Sequence, residues 1–303
     1  MLKPTTLYKS VKYTPGFSAN LTKSLKDLSP LSFFHDVPIN KCQLPSASTS
    51  TVNMIVEIPR FEQGKFEIST KIKGNPIIQD TKKDKLRFLP NLYPFTGYPV
   101  NYGAIPQTWE DPTLGVDVSF KNEKVKLFGD NDPLDVLEIG DNKNFKIGQI
   151  ENVKILGCLP MIDEGELDWK ILSVSNDYHL ANKLNNISDV NKLMPGLLDD
   201  LKKWLKNYKL PMGKSENEFG DDGWLGPEIA NEVIDECHHR WKLLVNGQLN
   251  GQLKENKMPI LDNYSLPNTP GFQNGHGSKV VGHTSYESAP IPKEESISHF
   301  YQS

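Results

Sequence analysis

Three aspartates stand within six residues in Gly129-Asp130-Asn131-Asp132-Pro133-Leu134-Asp135. Ionised carboxylates this close repel one another, so clustering them is favourable only where positive charge sits between them. Pro133 interrupts a regular strand and Gly129 permits a tight turn, which lets the side chains converge instead of alternating across a sheet. Grouped oxygen ligands of this kind suit a hard divalent cation, Mg²⁺ above all. The same residue types also build ordinary solvated turns. An EF-hand is excluded, because its fifth position falls on Leu134 and its glycine position on Asp135.

The surroundings decide between turn and site. On an expected strand over 65–70, Lys65 and Glu67 share one face while Phe66 and Ile68 take the other. On an expected strand over 168–174, Asp168 and Lys170 share a face opposite Trp169 and Ile171. One such pair alone is a surface ion pair worth under ~1 kcal/mol. Two of them, beside the aspartate cluster and a second acidic run at Asp163-Glu164-Gly165-Glu166, make a coherent pattern. Carboxylates would hold metals, and lysines a polyanion that the metals bridge. Arg87, in Lys85-Leu86-Arg87-Phe88, offers a bidentate fork to phosphate. Tyr208-Lys209 and Lys214 add donors, and Tyr98 and Tyr102 bring phenol hydroxyls within a Gly-flanked turn. Each also has a plainer use: tyrosine commonly buries its ring with one bonded hydroxyl, and lysine near a helix C-terminus answers the macrodipole. Cys237, His238 and His239 are consecutive on an expected helix and face different directions, so they cannot chelate one ion together.

The elements that must carry these groups are short strands followed by helices. Strands are expected over 52–58 and 65–70, paired with each other, and over 134–139, 152–158 and 168–174. Leu197, Leu198, Leu201, Trp204, Leu205 and Tyr208 recur at helical spacing over 196–208. Ile229, Val233, Cys237, Trp241 and Leu244 do so over 227–245, with Pro227 at the start and Gly247 just past the end. Strands in the middle and helices after them indicate an α+β domain on a small barrel or curled sheet. Residues 1–30 read as a basic N-terminal extension, either a mitochondrial presequence or a flexible tail, with no acid before Asp27. Residues 31–247 read as one folded domain. Residues 248–303, rich in Asn, Gly, Pro and Ser, read as an extended, partly disordered tail from which Ile297, Phe300 and Tyr301 could dock back.

Bulk composition narrows the partners. A net charge of −4 supplies no general attraction to nucleic acid or anionic membranes. No apolar run approaches the ~18 residues of a membrane span, so no integral membrane contact is expected. The three cysteines are far apart, with no Cys-x-x-Cys, which argues against a disulfide framework or a structural zinc site.

The segments 53–60 (NMIVEIPR), 76–84 (PIIQDTKKD), 85–88 (KLRF), 101–109 (NYGAIPQTW), 129–136 and 163–170 together resemble family I soluble inorganic pyrophosphatases, the eukaryotic, fungal-type enzymes best, over residues 31–245. The resemblance implies an OB-like five-stranded β-barrel with flanking helices. It implies several Mg²⁺ ions per active site and hydrolysis of pyrophosphate to two phosphates by in-line attack of a metal-activated water. By position, it implies Asp130, Asp135 and Asp168 as principal metal ligands, with Asp163 and Glu67 completing further sites. Asp132 would be the general base. Lys65, Arg87, Lys170, Tyr208 and Lys209 would bind phosphoryl oxygens, with Tyr98 as a further catalytic group and Glu57 also in the cavity. A homodimer is implied, although Phe61 and Phe95-Thr96 depart from the family pattern at the subunit contact of the cytosolic enzymes. Segments 12–17 and 33–38 look closer to the mitochondrial branch, with cytoplasmic residence as the alternative.

Three rival readings remain at this level, one of them a degenerate, non-catalytic relative, which the intact Asp130, Asp132, Asp135, Asp168 and Arg87 oppose. An aspartyl-phosphate phosphatase would need an apolar parallel strand before its Asp-x-Asp, and Lys124-Val125-Lys126-Leu127-Phe128 is a poor one. A barrel that binds single-stranded nucleic acid is opposed by the negative charge and the acidic cluster.

Overall fold

The computed structural model describes residues 3–44, 49–141, 145–249, 251–253, 257–274 and 279–300. Five strands close a ring. Ser50–Ile58 pairs with Ile150–Asp163 on one side and Asn101–Ala104 on the other. Asn101–Ala104 pairs with Asp135–Glu138, which runs parallel to Glu166–Ser175, and that strand returns antiparallel to Ile150–Asp163. This is the five-stranded, OB-like barrel, and closure removes the strand edges that an open sheet would leave.

The barrel is covered outside as well as filled inside, which explains why the 50–58 strand is buried along its whole length. Val52, Met54 and Val56 join Ile155 and Ile171 with Ala230, Ile234 and Cys237 of helix Pro227–Val245. Ile55 and Ile58 belong to the second core, which includes Leu137 and Leu172 with Leu201 and Trp204 of helix Leu197–Asn207. Gly103 marks a register shift between these layers, and a Cβ there would stand 1.9 Å from the Ile55 carbonyl oxygen.

The expected pairing of 52–58 with 65–70 does not form. The chain leaves the barrel at Pro59, and Phe61 takes a φ of 68°, which turns it into a second sheet. There Phe66–Ile68 pairs with Ile77–Gln79, followed by Ser18–Thr22 and Thr5–Lys9.

That second sheet overturns the reading of the N-terminus as a loose basic extension. Lys3, Lys9, Lys23 and Lys26 all lie outward, while Leu7, Tyr8, Phe17, Ala19 and Leu21 are buried between them. Lys9 ends one strand of the pair, and Lys3, Lys23 and Lys26 lie in the segments that flank it. Lys12 is itself buried, held 2.5 Å from Glu62.

The C-terminal segment is also built in, through polar contacts together with Met258, Leu261, Leu266 and Tyr286 packed against the core. The Asp36 carboxylate accepts from Tyr264 N and from Ser265 N and Oγ at 2.9, 2.8 and 2.6 Å, and Asn263 has no exposed surface. Farther on, Ala289 N donates to the Lys12 carbonyl at 3.0 Å and Ser298–His299 pairs with Asn91–Leu92. Of the residues expected to dock, Ile297 and Phe300 stay largely exposed, the Phe300 ring lying 5.3 Å from a likewise exposed Tyr93, and Tyr301 lies outside the described residues. A tail poor in apolar residues is thus held by buried acceptors on the barrel side.

Burying Leu7, Tyr8, Phe17 and Leu21 is worth roughly 1.5–3 kcal/mol per side chain, and together that rivals the stability of a whole domain. Deletion of residues 1–26 should therefore leave a protein that aggregates or melts at least ~10 °C lower. Differential scanning calorimetry on the truncated chain tests this, and an unchanged Tm would mean that the two strands are dispensable.

Candidate active site

The acidic loop sits in a narrow cradle. Gly129 comes so close to the preceding segment that a Cβ would stand 2.4 Å from the Glu110 carbonyl carbon. Asn131 N donates to the Glu110 carbonyl at 2.9 Å, and Glu110 N donates to the Asp132 carbonyl at 3.0 Å. Asn131 takes a φ of 77°, a left-handed turn that asparagine tolerates, so Asp130 and Asp132 flank a sharp bend. Beyond Pro133 the chain enters the barrel as Asp135–Glu138, where Asp135 stands in register with Lys170 on the parallel neighbour.

One cavity of about 140 Å³ gathers Asp130, Asp132, Asp135, Asp163, Asp168, Lys170, Lys65, Glu67, Glu57, Tyr98, Tyr102 and Tyr208. The volume is small beside the ~300–1,000 Å³ of drug-sized sites, which favours a compact ligand. Strand alternation places Asp168 and Lys170 on the same side, as expected. Asp163 ends the strand before them, and Trp204 stacks beneath Tyr208 at 5.2 Å, setting that phenol at the helix end.

The cations are pinned by acids. Lys170 Nζ bonds both oxygens of Asp168 at 2.6 Å, bonds Asp135, and reaches the Tyr102 hydroxyl at 2.9 Å. Lys65 pairs with Glu67, and Lys209 with Asp163. Arg87 bonds Asp80, which lies 3.6 Å from Lys65. Arg87 and Lys209 do not line the cavity themselves; Lys209 grips Asp163, which does, and Arg87 grips Asp80, which stands behind the lining residue Lys65. Burial alone would discharge Lys170, but Asp135 and Asp168 beside it outweigh that and hold it well above the ordinary lysine value.

One carboxylate absent from the sequence reading belongs here. Glu110 is buried, and its oxygens, with those of Asp130 and Asp168, lie within 4.8 Å of one another. One Glu110 oxygen accepts from Trp169 N at 2.9 Å, while the other is buried without a partner, as is one Asp163 oxygen. The only hint in the sequence is the acid pair Glu110-Asp111 directly after the 101–109 segment; it lies twenty positions before Asp130, across the hairpin Gly115–Phe120 and Glu123–Phe128. Orphaned buried carboxylate oxygens beside like-charged neighbours fit a hard divalent cation in both charge and donor type.

The electrostatics agree. Burial, then Asp132 and Asp135, push Asp130 well above the usual carboxylate range, and burial, then Asp130, does the same to Glu110. Glu57 is raised by burial and by Asp135. Asp132 opens toward solvent at the cavity mouth, yet the enclosing protein and Glu67 push it up to about 7. Burial raises Tyr98 to about 12, so it stays a hydrogen-bond donor.

Comparison with known proteins points one way. A family model described as "Inorganic pyrophosphatase" matches residues 54–242. The mitochondrial inorganic pyrophosphatase of Saccharomyces cerevisiae is 42% identical over 271 residues, covering 89% of this chain and 81% of that protein. An inorganic pyrophosphatase of Yarrowia lipolytica is 43% identical over 277 residues, covering 91% and 90%. The solved structure of an inorganic pyrophosphatase from Schistosoma japonicum superposes with a TM-score of 0.84 at 34% identity, covering 98% of this chain and all of that one.

The raised carboxylates fix a pH dependence. In the unfolded chain each ionises near ~4, so their contribution to stability is full below that pH and is lost as pH rises through the folded values, about 7 for Asp132. The metal-free protein should melt lower at pH 8 than at pH 6, and added Mg²⁺ should raise Tm more at pH 8. Equal metal-free melting temperatures at the two pH values would show that these groups are already ionised.

Proposed function

The chain belongs to the inorganic pyrophosphatase family and hydrolyses pyrophosphate to phosphate, and from that premise we propose how its residues divide the work. The observation that carries the assignment is the convergence of Glu110, Asp130 and Asp168 beside four cations already held by carboxylates. Asp130, Asp135 and Asp168 hold Mg²⁺, with Asp163, Glu67 and Glu110 completing the acidic wall. When bound, Mg²⁺ neutralises the diphosphate and lowers the pKa of water toward ~7.

Asp132 accepts the proton of the attacking water. Its value of about 7 suits a base that must be ionised yet able to hold a proton near neutrality. Lys65, Arg87, Lys170, Tyr208 and Lys209 bind phosphoryl oxygens, and Tyr98 donates its hydroxyl to them. Lys170 releases Asp135 and Asp168 as it turns to phosphate; Lys209 releases Asp163 and Arg87 releases Asp80 in the same way. Each exchange keeps every charge paired, and the cations on the departing phosphate stabilise charge developing there. The attack runs in line with the leaving group, and no covalent intermediate is invoked.

We further propose a homodimer. The reading rests on the family resemblance, which places Phe61, a large side chain 50% exposed, at the subunit contact. Mitochondrial residence is proposed from the Saccharomyces cerevisiae relative, with the cytoplasm as the alternative. No helix among the described residues is long and apolar enough to cross a membrane.

Asp132→Asn should cut phosphate release from pyrophosphate at least ~10²-fold, the scale of general-base loss, while Mg²⁺ still raises Tm. Arg87→Ala should raise KM by roughly 10-fold, as expected for losing a charge-assisted bond to phosphate. Wild-type kinetics in either variant would remove that role. Phe61→Glu should halve the mass measured by light scattering; an unchanged mass places the interface elsewhere. A fluorescent fusion of the full chain should co-localise with mitochondria, and a diffuse cytosolic signal would decide for the alternative.

A further inference from the structure

Asn131 lies between the two acidic residues of the loop, and its amide is bonded at both ends. Its Oδ1 accepts from Trp109 Nε1 at 3.1 Å, and its Nδ2 donates to the Lys257 carbonyl at 2.9 Å. An indole nitrogen only donates and a carbonyl only accepts, so the partners themselves set which way the amide points. Trp109 has no exposed surface and is a fixed point in the core. Lys257 begins the strap 257–274, which is fixed to the opposite side. The Ile260 carbonyl bonds His35 Nε2 at 3.0 Å, and the Asp36 carboxylate takes Tyr264 N and Ser265 N at 2.9 and 2.8 Å. The tautomer of His35 is settled in the same way. Trp241 Nε1 donates to its Nδ1 at 3.0 Å, which leaves the proton on Nε2 for the strap.

We infer that Asn131 is a positioning residue for the cation-binding loop, clamping it between Trp109 and the strap so that docking of the C-terminal segment sets the loop's affinity for divalent cations. The inference rests on the reading that Asp130 and its neighbours hold Mg²⁺. Once both are ionised, Asp130 and Asp132 repel and the bend tends to spread unless a cation lies between them. The backbone bonds to Glu110 hold one side of it, and the Asn131 amide holds the other. An aspartate at this position would set its own oxygen against the Lys257 carbonyl, and a serine is too short to span both partners. Groups that orient metal ligands from outside the coordination sphere typically change metal affinity ~10–100-fold when removed.

A plainer account exists: the left-handed backbone at Asn131 is what selects asparagine. Asn131→Gly separates the two, because glycine keeps that backbone and removes the amide. Isothermal titration calorimetry with Mg²⁺ and no substrate gives the readout. We expect the Kd of Asn131→Gly to rise about 10-fold, equal to about 1.4 kcal/mol, with kcat at saturating Mg²⁺ within about two-fold of wild type. Asp36→Ala, which loosens the strap far from the loop, should weaken Mg²⁺ binding in the wild type but add nothing in Asn131→Gly. A Kd for Asn131→Gly within about two-fold of wild type, or additive effects in the double variant, would overturn the clamp while leaving the metal reading intact. If the wild type itself takes up no Mg²⁺, the metal reading fails and the clamp falls with it. Should Asp36→Ala not fold, Asn131→Gly decides alone.

Discussion

The site is governed by an excess of carboxylate in a confined space. Glu57, Glu67, Asp130, Asp132, Asp135, Asp163 and Asp168 line one small cavity, Glu110 stands beside Asp130 and Asp168, and the lysines there are already shared among these acids. Burying unpaired like charges is costly, and the protein meets that cost by raising carboxylate pKa values and by pinning Lys65, Lys170 and Lys209 to acids. Such an arrangement gains most from a ligand set that brings cations for the carboxylates and anions for the lysines together. A diphosphate accompanied by divalent cations, the pairing proposed above, would satisfy both halves at once.

Holding repelling groups at fixed spacing requires a stiff frame, and the closed barrel supplies it. Asp135, Asp168 and Lys170 stand on adjacent parallel strands whose register is fixed by burial on both faces. The loop that carries Asp130 and Asp132 lies outside the strands and meets them through a β-bridge from Gly129 to Leu167. It is also tied by backbone bonds to Glu110, by the close approach at Gly129, and by Asn131. Rigid strands therefore present the carboxylates buried deepest, while Asp132, the proposed general base, sits on the more open bend at the cavity mouth.

Where sequence reading succeeded and where it failed has a consistent physical origin. The 166–175 strand and both long helices were legible because their periodicities survive in any window of ten residues. The N-terminal strands were hidden because the exposed lysines in and around them dominate the composition, while the buried Leu7, Phe17 and Leu21 are too sparse to look like a core. The 257–274 strap was hidden because it is held by Asp36, His35 and Asn75, more than 180 residues earlier in the chain. Strands 50–58 and 66–68 are neighbours in sequence but belong to different sheets, since the turn at Phe61 redirects the chain.

By itself, the sequence determined the chemistry: the carboxylate loop, the alternating Asp168 and Lys170, and the strands able to carry them, because side-chain type and local period are written residue by residue. Only the tertiary structure decided which groups meet. Glu110 joined Asp130 and Asp168, Arg87 and Lys209 stood back behind Asp80 and Asp163, and both chain ends became part of the fold. Those outcomes depend on contacts between residues far apart in the chain, and no local pattern encodes how barrel closure brings them within bonding distance.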